Sequence, residues 1–186
     1  MPHSRVPPFL PFSTQFICHI FYLCHSHLSH CLAAFGNLPP PAALSAAVAE
    51  SAIAATNNGY IPATGLPAAQ AAIAEYYSTP AAPFTAGDVI VASGCSGALE
   101  LCLTAMLNEG DNILVPNPGF PLYDVIAKSH GAETIAYNLD PKTGWECDLQ
   151  HMEAQITTRT RGILINNPSN PCGSVFSEAH LEDIVK

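Results

Sequence analysis

Apolar residues recur in this chain with two different spacings, and the spacings alternate. Residues 41–55 are alanine-rich with proline at the first turn, which predicts a helix. Residues 67–77 repeat that signature, again opened by proline and with apolar positions at helical spacing. Between them, Asn57-Asn58-Gly59-Tyr60-Ile61-Pro62 is loop chemistry. Residues 88–92, Asp-Val-Ile-Val-Ala, are a short β-branched run and predict a buried strand. The small residues at 93–97 predict a tight turn into a helix over 98–107. Further strands are predicted at 112–115, 133–137 and 162–165, separated by helices at 122–129 and 148–156 and followed by one over 178–186. Strands that alternate with helices predict an α/β fold, with a mostly parallel sheet and flanking helices.

The first 34 residues do not share this alternation. They hold His3, His19, His25, His27 and His30 and three of the seven cysteines, yet Arg5 is their one charged side chain. The expectation is an irregular leader over 1–34, disordered or aberrant, ahead of a domain over 35–186. The order Cys18, His19, Cys24, His25, His27, His30, Cys31 matches no regular zinc-finger spacing, so no metal site is assigned. Pro7, Pro8 and Pro11 interrupt the region where a secretory signal needs an apolar helix. The longest apolar stretch, 16–28, carries three histidines, which argues against a membrane span.

Charge narrows the partners. A net charge of −9 with only six scattered basic residues speaks against nucleic acid, which needs clustered Lys and Arg. Cys95, Cys102, Cys147 and Cys172 lack the dense spacing of a disulfide scaffold and read as reduced thiols of a cytoplasmic protein.

Candidate chemistry lies on three turns, each following a predicted strand. Ser93-Gly94-Cys95-Ser96-Gly97 opens a helix whose first N–H groups lack intrahelical partners, so an anion there gains hydrogen bonds and a favourable dipole. The same residues also suit an ordinary strand-to-helix turn with Ser93 or Ser96 as N-cap. Pro118-Gly119-Phe120-Pro121-Leu122-Tyr123 offers an aromatic plane, though a loop Phe also serves plain packing. Asn166-Asn167-Pro168-Ser169-Asn170-Pro171-Cys172-Gly173 leaves an amide at a strand's carboxyl end, where open α/β sheets bind ligands, or where Asn simply forms a turn.

Taken together and in this order, the segments resemble the fold-type I, pyridoxal-phosphate-dependent aminotransferases of class I/II, the tyrosine aminotransferase group most of all. The carrying residues are Phe35-Gly36-Asn37-Leu38-Pro39, Asn58-Gly59-Tyr60, Ser93-Gly94-Cys95-Ser96 and Asn112-Ile113-Leu114-Val115-Pro116. They continue through Pro118-Gly119-Phe120, Trp145-Glu146-Cys147-Asp148-Leu149 and the long run from Asn167 to Phe176. The resemblance implies that residues 35–186 are the N-terminal part of a large cofactor domain. It implies pyridoxal 5'-phosphate as cofactor, with Gly94, Cys95 and Ser96 on its phosphate, Phe120 stacked on its ring and Asn167 bonded to its phenolic oxygen. Tyr60 would reach the phosphate of the neighbouring subunit in a homodimer, and Tyr123 would line the substrate pocket. The implied reaction converts L-tyrosine and 2-oxoglutarate to 4-hydroxyphenylpyruvate and L-glutamate.

The family's cofactor-linked lysine, ring-nitrogen aspartate, companion tyrosine and carboxylate-binding arginine would all fall beyond residue 186. Lys128, Lys142 and Lys186 read as surface charges, and no catalytic residue is assigned. The expectation is an incomplete domain, inactive alone. The alternatives are a non-catalytic module that binds pyridoxal phosphate or phosphate, or a partner that pairs with a complete aminotransferase.

Overall fold

The computed structural model describes residues 39–54, 56 and 58–186. The leader, its histidines and cysteines, Phe35 to Leu38 and Asn57 therefore lie outside the described residues. Helix α1 spans Ala42–Ile53 behind Pro41, with every residue exposed. Its alanines favour the helix by intrinsic propensity. Helix α2, Pro67–Tyr77, starts with proline at its first turn and buries Gln70 and Ala74. The Gln70 side-chain amide donates to the Val89 carbonyl and so ties α2 to the next segment.

The strand expected at 88–92 is absent. Residues Ala86–Asp88 form a 3-10 turn closed by a reciprocal Thr85–Asp88 capping box. Val89 then runs extended, and Val91 N–H donates to the Thr64 carbonyl at 2.9 Å. β-branched residues favour an extended chain, but a strand also needs a neighbour to bond with. Beyond that single bond to Thr64 no strand pairs with this segment among the described residues, and Ile90 is 62% exposed.

From residue 94 the expected alternation holds. Helix α3 is Gly94–Met106, strand β1 Asn112–Asn117, helix α4 Leu122–Ser129 and strand β2 Glu133–Asp140. After a 3-10 turn at Pro141–Thr143 come the two-residue strand β3, Glu146–Cys147, and helix α5, Leu149–Ala154. Strand β4, Thr160–Ile163, and helix α6, Glu178–Ile184, complete the order. β4 begins and ends two residues before the predicted strand, and β3 was not anticipated. The sheet order is β3-β2-β1-β4; β1 pairs in parallel with β2 and with β4, and only β3 runs antiparallel.

Successive residues of a strand face opposite sides, and β1 uses both. Ile113 packs with Leu99, Leu103, Tyr123 and Ile126 from α3 and α4. Leu114 packs on the other side with Tyr137, Leu139, Met152 and Phe176. A parallel sheet covered on both faces is what the unbroken apolar strands require. Tyr137, fully buried, donates its hydroxyl to the Leu164 carbonyl at 2.8 Å and thereby extends the link between β2 and the end of β4. Burial pushes its phenol up, so it remains a donor.

Asp111 locks the opposite end of the sheet. It is 1% exposed, and its carboxylate lies 3.1 Å from Arg161 Nε and 3.5 Å from an Arg159 nitrogen. Its other oxygen accepts the Asn108 N–H at 3.1 Å. The Arg161 guanidinium, aided by the Asn108 bond and Arg159, outweighs desolvation and holds the carboxyl below its ordinary value. A depressed carboxyl stabilises the fold above its unfolded pKa of about 3.9, and that contribution is lost as pH falls through the folded value. Asp111→Asn should therefore lower the melting temperature at pH 7 and flatten its decline in acid. Parallel melting curves from pH 7 to pH 3 would show the ion pairs irrelevant.

Candidate functional site

The three turns are positioned by adjoining elements. Ser93 caps α3 by position, but its side chain accepts no bond from the first turn. Gly94 has φ +70°, a left-handed conformation that glycine adopts without strain, and a Cβ there would meet nothing within 4 Å. Gly94 and Ser96 are exposed and Cys95 is half-buried. The start of a 13-residue helix thus faces outward, closed by no side chain, with the Ser96 hydroxyl beside it. Such a turn suits a phosphate dianion.

Cys95 packs into the core cluster that contains Tyr123. The Tyr123 ring in turn meets Phe120 edge-on, with centroids 5.8 Å apart at 80°. The turn at 94–96 and the ring at 120 thus border the same core cluster, one through Cys95 and the other through the Tyr123 ring. Phe120 is 38% exposed, so part of its ring stays open to a ligand. Tyr123 is 5% exposed and stands in the core. That corrects the expectation that it lines the substrate pocket: the first turn of α4 points it inward, beneath Phe120. Gly119 leaves no choice of residue before that ring, because a Cβ there would stand 2.2 Å from the Pro116 carbonyl oxygen.

Asn167 follows β4, and parallel pairing of β1 with β4 sends Asn167 and Phe120 to the same edge of the sheet. Its loop closes on itself. Ser169 N–H donates to the Ser174 carbonyl at 2.9 Å and Gly173 N–H to the Ser169 carbonyl at 2.8 Å. Asn170 N–H donates to Asn166 Oδ1 at 2.6 Å. Asn167 Oδ1 accepts the Phe176 N–H at 2.9 Å, and Phe176 is buried. An amide whose oxygen is so engaged has its NH₂ left as the free donor, which fixes the flip by its bonding. Asn167 is exposed, so that donor can serve a ligand oxygen. Phe176, which sets this orientation, was not singled out as a site residue; an apolar residue nine positions on gives no sign of holding an amide.

Tyr60 is not brought to this group within one chain. Its side chain stands fully exposed, with a small recess shared with Asn58 and Gly59. A shallow, mainly apolar groove of about 490 Å³ runs along the outer side of α3 past Ser93, Gly97, Leu101 and Thr104. It does not reach Phe120 or Asn167. The lysines are engaged or peripheral: Lys128 pairs with Asp124 at 2.7 Å, Lys186 with Asp183 at 2.8 Å, and Lys142 lies in the turn after β2. Among the described residues no group of three His, Cys, Asp or Glu gathers to hold a metal, and no helix is long and apolar enough to cross a membrane. Cys95, Cys102, Cys147 and Cys172 are thiols.

The turn, ring and amide offer an anion cradle, an apolar plane and a neutral donor, a set suited to a planar phosphate ester. The family model for aminotransferase class I and II matches residues 30–186. The chain is 48% identical to the tyrosine aminotransferase of Bos taurus over 151 residues, 81% of this chain and 34% of that one. It is 52% identical to the tyrosine aminotransferase of Dictyostelium discoideum over 129 residues, 69% of this chain and 31% of that one. Among solved structures, tyrosine aminotransferase from Leishmania infantum superposes with a TM-score of 0.78 at 39% identity, covering 82% of this chain and 43% of that one. Alanine aminotransferase from Pyrococcus furiosus gives 0.76 at 31%, covering 80% and 38%. The chain thus spans about a third of the length of the curated relatives it matches.

Proposed function

Because the chain belongs to the class I and II aminotransferases, we propose that it holds the phosphate and ring of pyridoxal 5'-phosphate with residues 94–96, Phe120 and Asn167. The observation that carries this reading is that Cys95 and Phe120 both border the core cluster that contains Tyr123, with Phe120 at the sheet edge shared with Asn167. The amides and hydroxyl of 94–96 would take the phosphate, the open face of Phe120 the pyridine ring, and the Asn167 NH₂ a ring oxygen. The cofactor supplies an electron sink for chemistry at an amino acid's α-carbon. This chain's residues bind and orient it; none of them is assigned a proton-transfer step.

For the whole protein we propose transfer of the amino group of an aromatic amino acid, tyrosine first, to a 2-oxo acid such as 2-oxoglutarate. The exposed Tyr60 and the wholly exposed α1 support a homodimer in which Tyr60 faces the other subunit's cofactor. A cytoplasmic location belongs to the same proposal, supported by the thiols.

Titration decides the binding part. Pyridoxal phosphate should bind saturably, compete with inorganic phosphate, and leave no lysine adduct after borohydride reduction. Incubation with tyrosine and 2-oxoglutarate should yield no 4-hydroxyphenylpyruvate from this chain alone. Turnover like that of an intact enzyme would overturn the assignment of the lysines to surface roles, and absence of saturable binding would overturn the cofactor site.

A further inference from the structure

Tyr123 joins two parts of the site that are distant in sequence. It is the second residue of α4, its ring is buried in the core cluster that α3 and α4 share, and it packs at near right angles to Phe120. Phe120 follows a proline-glycine loop and is 38% exposed, and its ring packs at near right angles to that of Tyr123. Cys95 packs into the same cluster from the turn that opens α3. Burial, with Cys95 nearby, pushes the Tyr123 phenol up to about 12.

We propose that Tyr123 is a positioning residue that fixes the plane of Phe120 relative to the 94–96 turn, so that stacking surface and anion cradle are set before the cofactor arrives. The inference rests on the cofactor reading above and deepens it. Edge-to-face aromatic pairs are geometrically selective, and a ring held in advance binds a planar ligand without first being ordered. The work is done by the ring rather than the hydroxyl, so phenylalanine should substitute and an aliphatic residue should not.

The test compares the unsubstituted chain with Tyr123→Phe and Tyr123→Leu, with Tyr123→Met in reserve should leucine prevent folding. In the cofactor-free chain, the Phe120 ring resonances should keep their ring-current displacement in Tyr123→Phe and move toward random-coil values in the aliphatic variants. Pyridoxal phosphate affinity should fall about three- to tenfold in those variants and recover in Tyr123→Phe. Affinity for inorganic phosphate should stay unchanged in all of them. Phe120 resonances that stay as displaced in the aliphatic variants as in the unsubstituted chain, or equal loss of phosphate and pyridoxal phosphate binding, would overturn the inference. Failure of the unsubstituted chain to bind pyridoxal phosphate, with the resonances behaving as described, would fall on the cofactor reading alone.

Discussion

Gly119→Ala should lower pyridoxal phosphate affinity by about 5- to 150-fold while leaving inorganic phosphate binding intact. The new Cβ would lie 2.2 Å from the Pro116 carbonyl oxygen and 3.3 Å from its carbon. Backbone atoms cannot rotate away as a side chain does, so the loop that follows β1 must move. Pro116 is buried and paired within β1 against Tyr137, which leaves the outer side of the loop, with Phe120, as the part that yields. Overpacking of this kind costs about 1–3 kcal/mol when it must be borne. The apo protein relaxes most of it, but cofactor binding must restore the strained loop, and the cost then appears as lost affinity. The turn at 94–96 is built by a different connection and should still take phosphate. Paired titrations with both ligands decide this; equal affinities for pyridoxal phosphate in the two proteins would remove Phe120 from the site.

Much of the fold around the candidate site is legible in residue order because each element solves a local problem. Proline at the start of α2, the small residues at 93–97 and the proline-rich loop after β4 are punctuation that any α/β chain uses. The family resemblance joined those marks into one site, and the sheet's parallel pairing accounts for the shared edge of Phe120 and Asn167. Sequence failed where a residue's role depends on a distant partner. The run at 88–92 has strand composition, but among the described residues its bonds go to local turns, the Gln70 amide and the Thr64 carbonyl, not to a ladder. The inward turn of Tyr123 and the hold of Phe176 on Asn167 are tertiary facts with no local signature. β3 escaped notice because two residues carry no period; its pairing opposite Leu139 and Asp140 makes it a strand.

The remaining large effect concerns the strand that carries the Phe120 loop. Leu114→Ala should destabilise the fold by about 2–5 kcal/mol, and the upper half of that range is expected. Leu114 is fully buried and packs among Tyr137, Leu139, Met152 and Phe176. The cost of such a deletion depends on how far the surroundings can close over the gap. Here they are pinned: Leu114 lies opposite Ile135 on β2 and Ile163 on β4, and its carbonyl accepts the Leu164 N–H at 2.8 Å. Tyr137 is held in turn by its bond to Leu164. Strands bonded on both sides cannot slide inward, so most of the cavity should persist. Against a typical domain stability of about 5–15 kcal/mol, a loss of this size leaves a substantial unfolded fraction on warming. Urea unfolding should show a lower midpoint with an unchanged slope, since the surface exposed on unfolding is nearly the same. A change below about 1 kcal/mol would mean that the core under β1 collapses freely. In that case the sheet would not be the rigid support that holds Phe120 and Asn167 at one edge.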